Sequence, residues 1–113
     1  MRYRLYQPSD FAALYAVEEL CFEPPFRFSR SLMRQLIESS NSATWIAEED
    51  AQLVGFSIVE WTAQQNETSA YLQTIEVHPT ARARGIGAEL LGRVEGSART
   101  AGAEIIRLHV DVE

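Results

Sequence analysis

The chain has 113 residues, the size of a single domain around one core, and is 46% apolar and 23% charged, which excludes intrinsic disorder. Its net charge of −6 argues against a general nucleic-acid binder, which carries a basic footprint; it fits a cationic, amine-bearing substrate and equally plain solubility. No apolar run approaches the roughly 20 residues that cross a bilayer. The opening Met1-Arg2-Tyr3-Arg4 lacks a signal-peptide core, and a lone cysteine, Cys21, points to a reducing cytoplasm.

Residues 3–6 read as a first strand. Pro8-Ser9-Asp10 then starts a helix, with Ser9 as N-cap and Phe11, Leu14, Val17 and Leu20/Cys21 on the buried stripe. On that stripe Cys21 reads as core filler. Glu23-Pro24-Pro25 ends the helix, because proline disfavours helical geometry in the residue before it. Ser29 is a plausible cap for a second helix with Leu32, Met33, Leu36 and Ile37 on one face, closed by the polar run 39–42. Strands are expected at 44–48 and 52–61, joined by the solvated acidic tip Glu49-Asp50-Ala51. A polar loop at 64–68 precedes a long strand at 70–77. Gly85 opens a helix carrying Ile86, Leu90, Leu91, Val94 and Ala98, and Gly102 stops it. The last strand, 105–112, alternates Ile106, Leu108, Val110 and Val112 against Arg107, His109, Asp111 and Glu113. The order β-α-α-β-β-β-α-β predicts one α/β domain over 1–113, a mixed sheet with helices on its faces, its last helix crossing between two parallel strands.

The informative stretch runs from Ile75 to Ala88. A strand ends at Val77, a turn follows, and Gly85 and Gly87 open a helix. Unpaired N–H groups at a helix start, with the positive end of its dipole, cradle a phosphate, and glycine allows close approach. Arg82 and Arg84 add positive charge to an otherwise acidic chain. Walker A is excluded because Ala88-Glu89, not Lys-Ser/Thr, follows Gly87. The dinucleotide fingerprint is excluded because Leu90 stands where glycine or alanine is needed. A glycine-rich connection kept for packing alone is the competing explanation.

The pattern Gln/Arg-x-x-Gly-x-Gly/Ala after a strand ending in Val-x-Pro resembles the acetyl-CoA pyrophosphate loop of the GCN5-related N-acetyltransferases (GNAT). Arg82, Gly85 and Gly87 match it position by position, and Leu72 to Pro79 is similar to the family's fourth strand. The resemblance implies the GNAT fold, acetyl-CoA as cosubstrate and a primary amine as acceptor. It implies that the fourth and fifth strands splay, and that backbone groups of Ile75 and Val77 bond the pantetheine and the acetyl carbonyl. N–H groups of Ala83, Arg84, Gly85, Ile86, Gly87 and Ala88 would hold the pyrophosphate beside Arg82. The segment Ala16 to Ser29 resembles the entrance of the ribosomal-protein-alanine, or protein N-terminal, acetyltransferases, with Phe28 where tryptophan is usual.

Transfer needs the amine deprotonated, so a general base is required. In that branch a glutamate on the fifth strand resembles the base, and Asp111 takes its place, one methylene shorter and suited to a water relay. Glu76 is the second candidate, at the splay, and Glu113 the third; His78 and His109 are possible proton relays, and no metal pattern is seen. The family normally continues with a helix bearing the general-acid tyrosine and two more strands. Their absence leads us to expect a truncated domain, weak in catalysis, whose uncovered fifth strand drives homodimerisation. Tyr71 and Tyr15 are the substitutes for the acid. The alternatives to a protein N-terminal acceptor are a small-molecule amine acetyltransferase and a non-catalytic CoA-binding fragment.

Overall fold

A computed structural model describes residues 1–108. Five strands form one sheet in the order β1-β2-β3-β4-β5: β1 Arg2–Leu5, β2 Ser42–Glu49, β3 Gln52–Gln64, β4 Glu67–Val77 and β5 Ile105–Leu108. β1 to β4 are antiparallel neighbours, and β5 pairs parallel to β4, from Ser69↔Ile105 to Leu72↔Leu108. Helices α1 Phe11–Cys21 and α2 Arg30–Glu38 cover one face, and α3 Ile86–Thr100 covers the other. The expected element order and the mixed α/β class are thus observed.

Three clusters explain why the sheet is covered on both sides, one under α1 and α2 and two under α3. Leu14, Val17, Met33, Ile46, Phe56 and Ile58 are sealed under α1 and α2. Val59, Leu72, Leu90 and Val94 are sealed under α3. Each such side chain contributes about 1.5–3 kcal/mol by leaving water.

Some local readings needed correction. Ser9 does not cap α1: Pro8–Asp10 is a 3₁₀ turn, and the helix begins at Phe11. Asp10 is the residue that fixes this corner, accepting from the Gln7 N–H at 2.8 Å and from both terminal nitrogens of Arg4 at 2.8 Å. On α1, Leu20 is 57% exposed while Glu18 is wholly buried, so the inward stripe runs through a carboxylate. Cys21 is half-buried, packed against the edge of the α1/α2 core as expected, with its sulfur beside the end of β4. The polar loop at 64–68 is instead a tight hairpin: Gln65 and Asn66 take positive φ of 50° and 66°, the geometry of a two-residue turn matched to strand twist. Ser29 does cap α2, its Oγ accepting from the Leu32 N–H at 3.1 Å, though Leu32 itself points outward.

One irregularity sets the site. Opposite the neighbours Ile58 and Val59, β4 places Thr74 and Leu72, so Gln73 is an extra residue. Strand side chains alternate, and one inserted residue reverses the parity beyond it. Leu72 therefore faces α3, as do Ile75 and Val77, while Glu76 turns to α1.

Candidate functional site

β4 ends at Val77, and His78 starts a 3₁₀ turn, Pro79–Ala81, its Nδ1 accepting from the Thr80 N–H at 3.1 Å. His78 is therefore a capping residue. Beyond Arg82 the chain reverses sharply, with Ala83 at φ 64° and Gly85 at φ 83°, and enters α3. The positive φ explains Gly85, since a side chain in that region costs about 1 kcal/mol or more. Gly87 is different. A Cβ there would meet Val77 and Ile75 methyl groups at 3.9 and 4.0 Å, ordinary contact distances, so packing does not require glycine.

Among the described residues, no backbone N–H from Ala83 to Ala88 has a hydrogen-bond partner; the first α3 bond is Glu89 N–H to Gly85 O, at 3.1 Å. Four of those residues, Ala83, Gly85, Ile86 and Gly87, line a cavity of about 290 Å³ together with Val77, Ala81 and Arg82. The two arginines have different employment. Arg84 is paired with Glu49 at the solvated hairpin tip, and its guanidinium holds that carboxyl below the usual range. Arg82 has no carboxylate partner among the described residues. Its Nε donates to Val77 O at 3.2 Å and its Nη2 to Cys21 Sγ at 3.3 Å. The Val77 carbonyl also accepts from the Cys21 thiol at 3.6 Å.

On the other face of β4 lies a feature that sequence reasoning missed. Glu18 and Glu76 are 0% and 2% exposed and within hydrogen-bonding reach of one another. Glu18 Oε2 accepts from the Phe28 N–H at 2.9 Å, and Glu76 Oε2 from the Thr74 hydroxyl at 2.8 Å. Burial first, then the neighbouring Glu18, pushes the Glu76 carboxyl up to about 10, with the Thr74 hydroxyl opposing. Burial likewise raises the Cys21 thiol. A period-3.6 reading of α1 could have found Glu18, one turn before Cys21 and one helical step from Leu14, had the stripe been allowed a polar member.

The remaining candidates stand as follows. Ile75 and Val77 lie on the α3 face beside Gly87. Tyr15 is not free to act as an acid: its hydroxyl donates to Phe28 O at 2.8 Å. Asp111, Glu113 and His109 lie outside the described residues. A larger groove of about 830 Å³, between α3 and the start of β2, is lined by Trp45, Trp61, Gly92 and Gly96 and by no carboxylate, histidine or cysteine. No group of His, Cys, Asp and Glu that could hold a metal occurs among the described residues, nor any helix long and apolar enough to cross a membrane.

A strand, a reversed turn and a helix start with unpartnered amides beside a mixed sheet make an α/β domain whose donors are open at the head of α3. The model of the acetyltransferase (GNAT) family matches residues 11–113, and the chain belongs to that family. It is an N-acetyltransferase, and the family implies acetyl-CoA and an amine acceptor. Solved structures agree on the fold. A putative acetyltransferase from Agrobacterium tumefaciens str. C58 superposes with a TM-score of 0.84 at 13% identity, over 97% of this chain and 81% of that one. The ribosomal-protein-alanine N-acetyltransferase of Brucella melitensis biovar Abortus 2308 gives 0.77 at 18% identity, over 97% and 80%. An aminoglycoside acetyltransferase from an uncultured soil metagenomic sample, solved with sisomicin, gives 0.79 at 18%, over 97% and 77%. No curated protein matches the chain in sequence.

Proposed function

We propose that this protein moves an acetyl group from acetyl-CoA to a primary amine, foremost the N-terminal amine of a protein, and that the loop 82–88 holds the pyrophosphate. The observation that carries the reading is the run of partnerless N–H groups from Ala83 to Ala88 around a glycine, Gly87, that packing does not need. Arg82, which has no carboxylate partner among the described residues, supplies the charge. Acetyl-CoA fits these donors, because a pyrophosphate is an acceptor of several N–H bonds and gains from the α3 dipole. When bound it supplies an activated thioester. Backbone groups of Ile75 and Val77 would lie beside its carbonyl, where an N–H aimed at the developing oxyanion lowers the barrier most effectively.

Asp111 is our base. Glu76 suits that role less well, since it holds its proton at neutral pH and a base must be ionised to act. The N-terminal acceptor is supported by the segment Ala16 to Ser29 and by the Brucella neighbour. A small-molecule amine is the second reading, favoured by the neighbour solved with sisomicin. β5 is the terminal strand of the described sheet and carries the 41% exposed Ile105, which supports a second copy pairing along it. Turnover of acetyl-CoA against a peptide panel and an amine panel tests the assignment. Peptide-dependent turnover is expected; turnover with amines alone would move the acceptor, and CoA binding without turnover would leave a binding module.

A further inference from the structure

The carboxyl pair between α1 and β4 is not explained by binding the pyrophosphate or by supplying a base. Two ionised carboxylates side by side out of water repel and are poorly solvated, which the chain avoids unless a proton intervenes. Each carboxyl here has one oxygen satisfied: Glu18 Oε2 by the Phe28 N–H, Glu76 Oε2 by the Thr74 hydroxyl. Each has one buried oxygen left over, Glu18 Oε1 and Glu76 Oε1. A single hydrogen shared between the two carboxyls would reduce that deficit.

We propose that Glu18 and Glu76 share one proton as a carboxyl–carboxylate bridge, and that through it Glu18 positions the connection 22–29 between α1 and α2 against the end of β4. Glu76 is the donor and Glu18 the acceptor, because Glu18 already receives the Phe28 amide. The direction of the Glu76 shift agrees. The other titratable groups facing the pair are Cys21, one turn further along α1, and Arg82, from the loop after β4. Arg82 donates to the Cys21 sulfur and so sets a cation near the residual charge. The bridge does not serve as a base: a coupled pair gives up its last proton at high pH and takes a second only in acid, so near neutrality it holds one throughout. Its work is to fasten the connection, which bears the 76% exposed Phe26, to the strand carrying the site. On the acetyltransferase reading above, that connection faces the acceptor.

Carbon-13 NMR of the glutamate-labelled full chain tests the bridge without mutation. The Glu76 carboxyl signal should titrate at high pH and the Glu18 signal should shift in that same step; a Glu18 signal unmoved by the Glu76 titration would overturn the sharing. Infrared spectra at pH 7 should show one protonated carboxylic-acid stretch that vanishes in Glu76→Gln and, in Glu18→Gln, titrates at least about one pH unit lower than in the wild type. An unshifted titration would mean that burial alone retains the proton. Amide exchange reads the positioning. Glu76→Gln replaces the bridging O–H by N–H and should leave the Phe28 amide protected, whereas Glu18→Ala should speed its exchange by about tenfold or more. Unchanged Phe28 exchange in Glu18→Ala would sink the positioning role. In turnover assays the same variant should raise the acceptor KM and leave that for acetyl-CoA within about twofold. If no amine is acetylated, the functional reading fails while the spectroscopic arms still decide the bridge.

Discussion

The two faces of β4 beyond Gln73 are built on opposite electrostatic plans. Toward α3, the strand leads into a loop whose backbone donors and Arg82 carry surplus positive potential at the surface. Toward α1, the same strand buries two carboxyls that keep a proton to avoid surplus negative charge. The first arrangement leaves valences open for an incoming anion. The second closes them inside the fold. A site that must bind and release a charged cosubstrate needs open, solvated donors, whereas a joint that must stay shut needs its polar atoms to satisfy each other.

Breaking the chemistry that this contrast serves should have the largest effect. Asp111→Asn keeps the side chain's size and removes its charge, so it should slow the chemical step by roughly 10²- to 10⁴-fold at pH 7 and leave CoA affinity unchanged. The deficit should shrink as pH rises, because more amine then arrives deprotonated; single-turnover rates across a pH series measure this. Near wild-type turnover at pH 7 would remove Asp111 from the role.

The open face comes next. Gly85→Asp or Gly87→Asp should weaken CoA binding by on the order of a hundredfold, about 2.7 kcal/mol, through added bulk and negative charge. Gly87→Ala sharpens the comparison. Its Cβ meets ordinary packing distances, so the melting point should hold or rise while calorimetry shows weaker CoA binding. Intact affinity in Gly87→Ala would mean that the helix start is not approached closely by the ligand.

The closed face is read by stability against pH. Glu76 has a raised carboxyl, so between the ordinary glutamate range and about pH 10 the folded state binds a proton that the unfolded state has lost. Stability therefore falls as pH rises through that window, and Glu76→Gln should flatten the decline. Asp10 works the other way. Held below the usual range by the Arg4 hydrogen bonds, it stabilises the fold above its unfolded value and loses that contribution as pH falls through the acid range. Urea melts of both forms between pH 3 and 9 check the two slopes, and a wild-type curve with no alkaline decline would contradict the neutral Glu76. The smallest change expected is in Ser29→Ala, about 1 kcal/mol from the lost α2 cap.

The sequence by itself determined the order of elements, most of both faces' apolar stripes and the strand–turn–helix connection at Arg82 to Ala88, because each of these depends on residues close together in the chain. Apolar spacing reports a helix face or a strand face directly, and Gly85 with Gly87 after a strand marks the turn into a helix. Tertiary structure alone decided the remainder. The extra residue Gln73 reversed the parity of β4, which no alternation rule applied to 70–77 could foresee, and so aimed Glu76 at α1. Glu18 joined the buried stripe because, across 58 positions of chain, a second carboxyl able to share its proton awaited it. Glu49, polar by every local measure, found Arg84 only when the β2–β3 hairpin folded over the start of α3. These pairings depend on groups distant in sequence, and their energies come from desolvation and contact, which local patterning does not encode.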